Sequence, residues 1–307
     1  MEISRRRFLK EAGIVIASVS MLPGGVWASD KGPFFEISLA EWSLHRAIEK
    51  GEIINLDFPV IAQKEFGISI VEYVSRFFKD EVKDKSYLNE LNKRAEDNSV
   101  RNNLIMVGGE GDLGEANTEK RKQAVENHYK WIEAAKYLGC KTIRTNAYGK
   151  GSKEEVAKAL TDGMGMLCEF AAKADINVVI ENHGGYSSDA GWLTRIMKDI
   201  GMPNAGILPD FGNFCIKKDD KGKCIKSYDR YEGIKKLMPY AKGISAKSYD
   251  FDNNGDETTI DYVKMMKIIK KSGFRGAIGI EYEGTRLSEF DGIKLTKKLL
   301  EKAGSVV

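Results

Sequence analysis

Eight short apolar or β-branched runs recur along this chain at nearly one spacing, and that periodicity restricts its fold more than any other feature. They read FFEISL (34–39), GISIVEYV (67–74), NLIMVGG (103–109), KTIRTNAYG (141–149), INVVIENHGG (176–185), AGILPDFGN (205–213), KGISAKSYDF (242–251) and GAIGIEYEG (276–284). With Glu36, Glu72, Val107, Arg144, Glu181, Asp210, Ser245 and Glu281 as markers, the successive intervals are 36, 35, 37, 37, 29, 35 and 36 residues. A strand-sized run repeated eight times at one period describes a repeated supersecondary unit.

Amphipathic stretches of helical length fill the intervals. Those at 118–139 and 152–174 begin at Thr118 and Ser152 with an acidic residue soon after, a helix-start signal, and the first stops at Gly139. Stretches 189–201, 258–273 and 286–304 carry apolar residues three and four apart and end on a glycine. Alternating strands and helices favour parallel pairing with the helices outside, and eight units favour a closed (β/α)8 TIM barrel, one α/β domain over residues 29–307. No GxGxxG follows the first strand, which counts against a dinucleotide fold.

The longest departure from the period is a polar hairpin insertion near 214–230, where Cys215 and Cys224 flank IKKDDKGK. In an oxidising compartment these two cysteines could close a hairpin disulfide. Cys140 and Cys168 lie in or near apolar helical patterns and read as core, and the absence of a CxxC pair argues against a structural zinc site.

The first 28 residues read as an export signal rather than as fold. SRRRFLK (4–10) is a basic region, GIVIASVSML (13–22) an apolar stretch short for a bilayer, and VWA (26–28) supplies small residues for cleavage. The expectation is a periplasmic or otherwise exported protein that meets the membrane during export, or through an uncleaved signal. Removing 1–28 takes away four cations and two carboxylates, so the formal charge falls from +3 to +1. That balance gives no electrostatic case for nucleic acid. No exposed apolar stripe identifies a self-association face, so a homo-oligomer stays open.

In such a barrel the reactive groups come from the C-terminal ends of the strands. Polar residues interrupting the apolar runs there are Glu72, Arg144, Glu181, His183, Asp210, Lys247, Glu281 and Glu283. Alternation along a strand puts Glu181 with His183, Ser245 with Lys247, and Glu281 with Glu283. Three carboxylates at one mouth, Glu181, Asp210 and Glu281, would repel by about 3 kcal/mol per pair at about 5 Å and an effective dielectric near 20. The remedies are a raised pKa, the cations Arg144 and Lys247, or a divalent metal. Oxygen-rich ligation suits Mg²⁺ or Mn²⁺ better than Zn²⁺.

IENHGG, LPDFGN and IGIEYEG, in this order on strands five, six and eight, resemble the xylose isomerase-like TIM-barrel superfamily of sugar phosphate isomerases and epimerases. The likeness covers roughly residues 34–304, and SRRRFLK resembles a twin-arginine export signal. The resemblance implies Glu181, Asp210 and Glu281 as metal ligands, and Glu181 and Glu281 as the paired acid/base carboxylates. The family's fourth ligand is a histidine in a pattern like HVKDY, where this chain has SAKSY (245–249). Ser245 thus replaces that histidine while Lys247 keeps the lysine. The substitution implies a weaker metal site, with water or His183 filling the gap, or a metal-free site built around Lys247.

The chemistry implied is proton abstraction beside a sugar carbonyl, followed by reprotonation elsewhere. His183, Arg144, Lys247, Glu72 and Trp42 are then expected to contact substrate hydroxyls, the oxyanion or a sugar face, and Trp192 and Phe211 to stack on sugar or pack in the core. Export and the lack of a Gly-rich phosphate loop point to a non-phosphorylated sugar or a glycoside. A lyase acting on 3-keto glycosides through the same enediolate is the second reading, and a non-catalytic carbohydrate-binding barrel with a decayed metal site is the third. An endonuclease would need a histidine-rich zinc site, whereas this chain has only His45, His128 and His183, with His128 on an amphipathic helix as surface or packing.

Overall fold

A computed structural model describes residues 34–307, so the expected export signal at 1–28 lies outside the described residues. Each of the eight runs forms a strand. In chain order they are β1 (Glu36–Ala40), β2 (Ile70–Val74), β3 (Arg101–Met106), β4 (Thr142–Thr145), β5 (Asn177–Glu181) and β6 (Ala205–Leu208), then, after the short hairpin strands β7 (Cys215–Lys218) and β8 (Cys224–Ser227), β9 (Ile244–Ser248) and β10 (Ala277–Tyr282). The large sheet runs β6-β5-β4-β3-β2-β1-β10-β9, and all its neighbours are parallel. Single parallel bridges, Ile207 to Ala241 and Asp210 to Ser245, join β6 to β9 and close the barrel.

The helices form where local signals place them. Asn117 caps Thr118–Leu138 by accepting from Lys120 N, and Gly139 ends it in the left-handed region. Ser152 and Glu155 form a reciprocal capping box on Lys153–Ala172, and Asp189 caps Ala190–Ile200. The helix expected over 258–273 starts later, at Tyr262, because Asp261 is its cap and the Glu257 carboxylate binds the amides of Thr259 and Ile260. Among the described residues no helix is long and apolar enough to cross a membrane.

The main core lies between the sheet and the outer helices, with Trp131, Ile143, Leu160 and Ile280 all buried. A smaller apolar cluster, Ala40, Val74, Leu104, Met106, Val179 and Leu208, fills the barrel interior and supports Trp42 and Phe77. Cys140 and Cys168 are buried and free, whereas Cys215 and Cys224 form the hairpin disulfide. His128 is a packing residue, its Nδ1 2.7 Å from Ala124 O.

Candidate active site

Strand register assembles the carboxylates. Glu181 is the last residue of β5, Asp210 follows β6 by two residues, and Glu281 on β10 lies in register with Lys247 on β9. Ser245 faces Asp210 across the closing bridge. Because side chains alternate, these positions share the barrel interior, and all five are essentially removed from solvent. Gly184 and Gly185, with φ of 84° and 59°, turn the chain away beyond β5 in conformations that favour glycine.

Two cations divide the negative charge. Lys247 Nζ is 2.6 Å from Glu281 Oε1, 3.1 Å from Glu283 Oε2 and 3.7 Å from Asp210 Oδ2. Arg144 Nε lies 2.8 Å from Glu181 Oε2, an ion pair without hydrogen-bond alignment, so both atoms lack a hydrogen-bond partner. Burial pushes Glu181 and Asp210 up to about 7, against the pull of Arg144 on the first and Lys247 on the second. Burial also acts on Glu281, but the Lys247 ammonium and hydrogen bonds from Lys247 and Ser245 outweigh it and hold that carboxyl at about 2. Burial would lower Lys247; the surrounding carboxylates, Glu281 foremost, raise it well above its usual value. His183 is lowered by burial and then by Arg144 and Lys247, which favours the neutral imidazole.

The donor set fits a hard cation. One oxygen each from Glu181, Asp210 and Glu281 lies within 4.8 Å of the others. Ser245 Oγ is 2.7 Å from both Asp210 Oδ2 and Glu281 Oε2. A hydroxyl has one proton and can donate to only one of them, so the second contact needs another proton or a cation. Glu181 Oε2, ion-paired with Arg144 but accepting no hydrogen bond, adds an acceptor at the same place. This buried acidic triad could hold a metal ion. His183 stands outside this group of three, with its Nδ1 2.8 Å from Tyr148 Oη, and lines the cavity beside it.

A cavity of about 470 Å³ opens above the triad, lined by Trp42, Val74, Met106, Arg144, His183 and Glu281 among others. Trp42 stacks on His45 and gives its Nε1 proton to Glu283 Oε1 at 2.6 Å. Glu72, expected to contact substrate, is fully buried and is not among the residues lining this cavity. Its Oε1 accepts from Ser38 and Asn103, and its Oε2 has no partner. Trp192 and Phe211 are buried in the outer core and face no ligand space; Trp192 Nε1 donates to Lys153 O.

Two site residues escaped the sequence reading. Asn213 donates from Nδ2 to Glu181 Oε1 at 3.0 Å, and its amide and that of Gly212 both donate to Asp210 Oδ1 at 2.7 Å. Gly212 packs so closely that a Cβ there would lie 2.8 Å from Lys247 Cγ. The DFGN stretch carried a signal for Asn213, an amide three residues beyond the strand-end acid. Tyr148 had none beyond its place after β4.

A family model for the xylose isomerase-like TIM barrel matches residues 61–303. Two curated relatives are C-glycoside deglycosidase alpha subunits. That of Arthrobacter globiformis is 38% identical over 20% of this chain and 18% of its own length. That of Microbacterium trichothecenolyticum is 30% identical over 44% of this chain and 32% of its own. The chain thus spans less than a third of each relative. Among solved structures, the IOLI protein with a bound zinc atom superposes with a TM-score of 0.67 at 16% identity, covering 89% of this chain and 99% of that one. The 3-keto-D-glucoside 4-epimerase of E. coli superposes with a TM-score of 0.61 at 14% identity, covering 80% and 93%.

Proposed function

The chain belongs to the xylose isomerase-like TIM barrel family, and on that premise we propose that it is a sugar isomerase or epimerase that moves a proton beside a carbonyl of a non-phosphorylated sugar. One observation carries the reading: two buried carboxylates, Glu181 and Glu281, end different strands and meet beneath an open cavity, each with its own cation. A pure binding site has little use for such a pair, whereas general acid–base exchange needs one group to take the proton and another to return it.

Glu181 and Glu281 are the proton shuttles. Asn213 fixes the first and Lys247 the second. Arg144 and neutral His183 line the cavity and offer donors to substrate oxygens, Trp42 supplies an apolar face, and buried Lys247 acts from behind Glu281. When ionised, Glu181, Asp210, Glu281 and Glu283 bring four negative charges against the two positive ones of Arg144 and Lys247, so an anionic intermediate would find the fully ionised site unfavourable. A divalent ion on the three carboxylates would polarise the carbonyl and offset that charge. With oxygen donors and Ser245 in place of imidazole, Mn²⁺ or Mg²⁺ suits the site better than Zn²⁺.

A second reading, a lyase that expels the aglycone of an oxidised glycoside by the same proton abstraction, is favoured by the cavity's lining. It extends from the triad over the ends of β1 to β3, past Trp42, Val74 and Met106, toward Lys79. The likeness to C-glycoside deglycosidase alpha subunits supports it as well. Export to an oxidising compartment belongs to the same proposal; the Cys215–Cys224 disulfide suits such a place, and cleavage at 26–28 in a secretion assay tests it.

Screening keto-sugars and 3-oxidised glycosides in heavy water separates the readings. Deuterium uptake with rearranged sugar supports the isomerase or epimerase, and release of an aglycone supports the lyase. Binding with neither leaves the non-catalytic barrel.

A further inference from the structure

The proposed cation site already contains a cation. The Lys247 ammonium touches Glu281 at 2.6 Å and approaches Asp210 to 3.7 Å, two of the three carboxylates that would hold a divalent ion. It is 1% exposed, and its stem is held against Gly212. An ammonium and a divalent ion compete for the same oxygen lone pairs, and in a buried site they also repel each other. Lys247 has one partner outside the triad, Glu283 Oε2 at 3.1 Å, whose other oxygen is bound by Trp42 Nε1 on the cavity wall.

We propose that Lys247 is an internal competitor for the divalent-cation site. With no divalent ion, Lys247 balances Glu281 and Asp210; with one bound, Lys247 gives up those oxygens and keeps Glu283. The chain therefore binds divalent ions more weakly than its three carboxylates would alone, and Ser245, supplying a hydroxyl rather than an imidazole, does not offset the difference. The lysine's shift loads the carboxylate that positions Trp42, so cation occupancy reaches the substrate wall through Lys247, Glu283 and Trp42. This rests on the metal reading above and adds that a residue of the chain itself sets the occupancy.

The test is calorimetric titration of Mn²⁺ into the chelator-treated full chain, without substrate, comparing the natural protein with Lys247→Met, Lys247→Gln and Lys247→Arg. Met and Gln keep the length of the stem and remove the charge, and either one suffices if the other does not fold. Both are expected to bind Mn²⁺ at least about tenfold more tightly than the natural protein, with Lys247→Arg close to it. Equal or weaker binding by the two uncharged variants would overturn the proposal, since Lys247 would then support the site rather than compete for it. Absence of Mn²⁺ binding in every variant would overturn the metal centre and this inference with it. An intact order of affinities with no proton exchange in any sugar would instead remove only the isomerase reading.

Discussion

Lys247 Nζ and the Glu281 carboxylate, partners in register on β9 and β10, sit 2.6 Å apart and almost fully buried. Removing one side of a buried ion pair leaves the other charge uncompensated, a loss of about 3–5 kcal/mol. Lys247→Met is expected to lower the unfolding free energy by about that amount in chelator, measured by urea denaturation. Glu281→Gln should cost less, because Lys247 keeps Glu283 and Asp210. Equal losses would contradict this charge assignment.

Glu72 is the acid of the barrel interior that does no work at the mouth. Burial raises it to about 7, despite hydrogen bonds from Ser38 and Asn103. Its folded pKa lies above the ordinary carboxyl value, so the stabilisation it allows is complete below about 4.5 and is lost as pH rises through about 7. Glu72→Gln keeps the accepting oxygen and places an amide where Oε2 has no partner. The variant should lose less stability between pH 5 and 8 than the natural protein, by up to a few kcal/mol, with proton-exchange activity unchanged. A matching slope in thermal scans would show that Glu72 does not titrate across that range.

Asn213 joins both halves of the acid cluster, through its side chain to Glu181 and its amide to Asp210. Asn213→Ala keeps the amide and removes the side-chain hydrogen bond. A roughly tenfold slower exchange rate is expected, about 1.4 kcal/mol in the barrier, with substrate KM little changed. A raised KM at constant rate would instead make Asn213 a substrate contact.

The hairpin of β7 and β8 forms its own two-stranded sheet, closed by Cys215 and Cys224. Chain entropy limits the effect of that short loop to about 3 kcal/mol. Since the strands stand apart from the barrel sheet, reduction should raise hydrogen exchange over 215–227 first and leave the barrel's thermal midpoint almost unmoved. A large drop in the midpoint would mean that the hairpin is part of the cooperative core.

Local chemistry made much of this legible in advance. Ser152, Asp189 and the terminal glycines mark helix ends because their signals act within four residues. Strand parity paired Glu181 with His183, Ser245 with Lys247 and Glu281 with Glu283 for the same reason. Parity gives the face but not the depth, and Glu72 is fully buried and does not line the cavity. A register shift between Val71 and Glu72, where β2 meets β3, helps set its layer, and no side-chain pattern announces it. Asn213 and Tyr148 lie on loops, whose paths carry no periodicity.

The central claim is that Glu181 and Glu281 move a substrate proton, and wash-in of solvent deuterium into a keto-sugar or 3-oxidised glycoside measures it directly. The natural protein with Mn²⁺ should incorporate deuterium beside the carbonyl, and folded Glu281→Gln should lose that exchange by about 10² or more, as expected for removal of a general acid–base group. Undiminished exchange in folded Glu281→Gln and Glu181→Gln proteins would contradict the account, because the base would then lie elsewhere in the barrel.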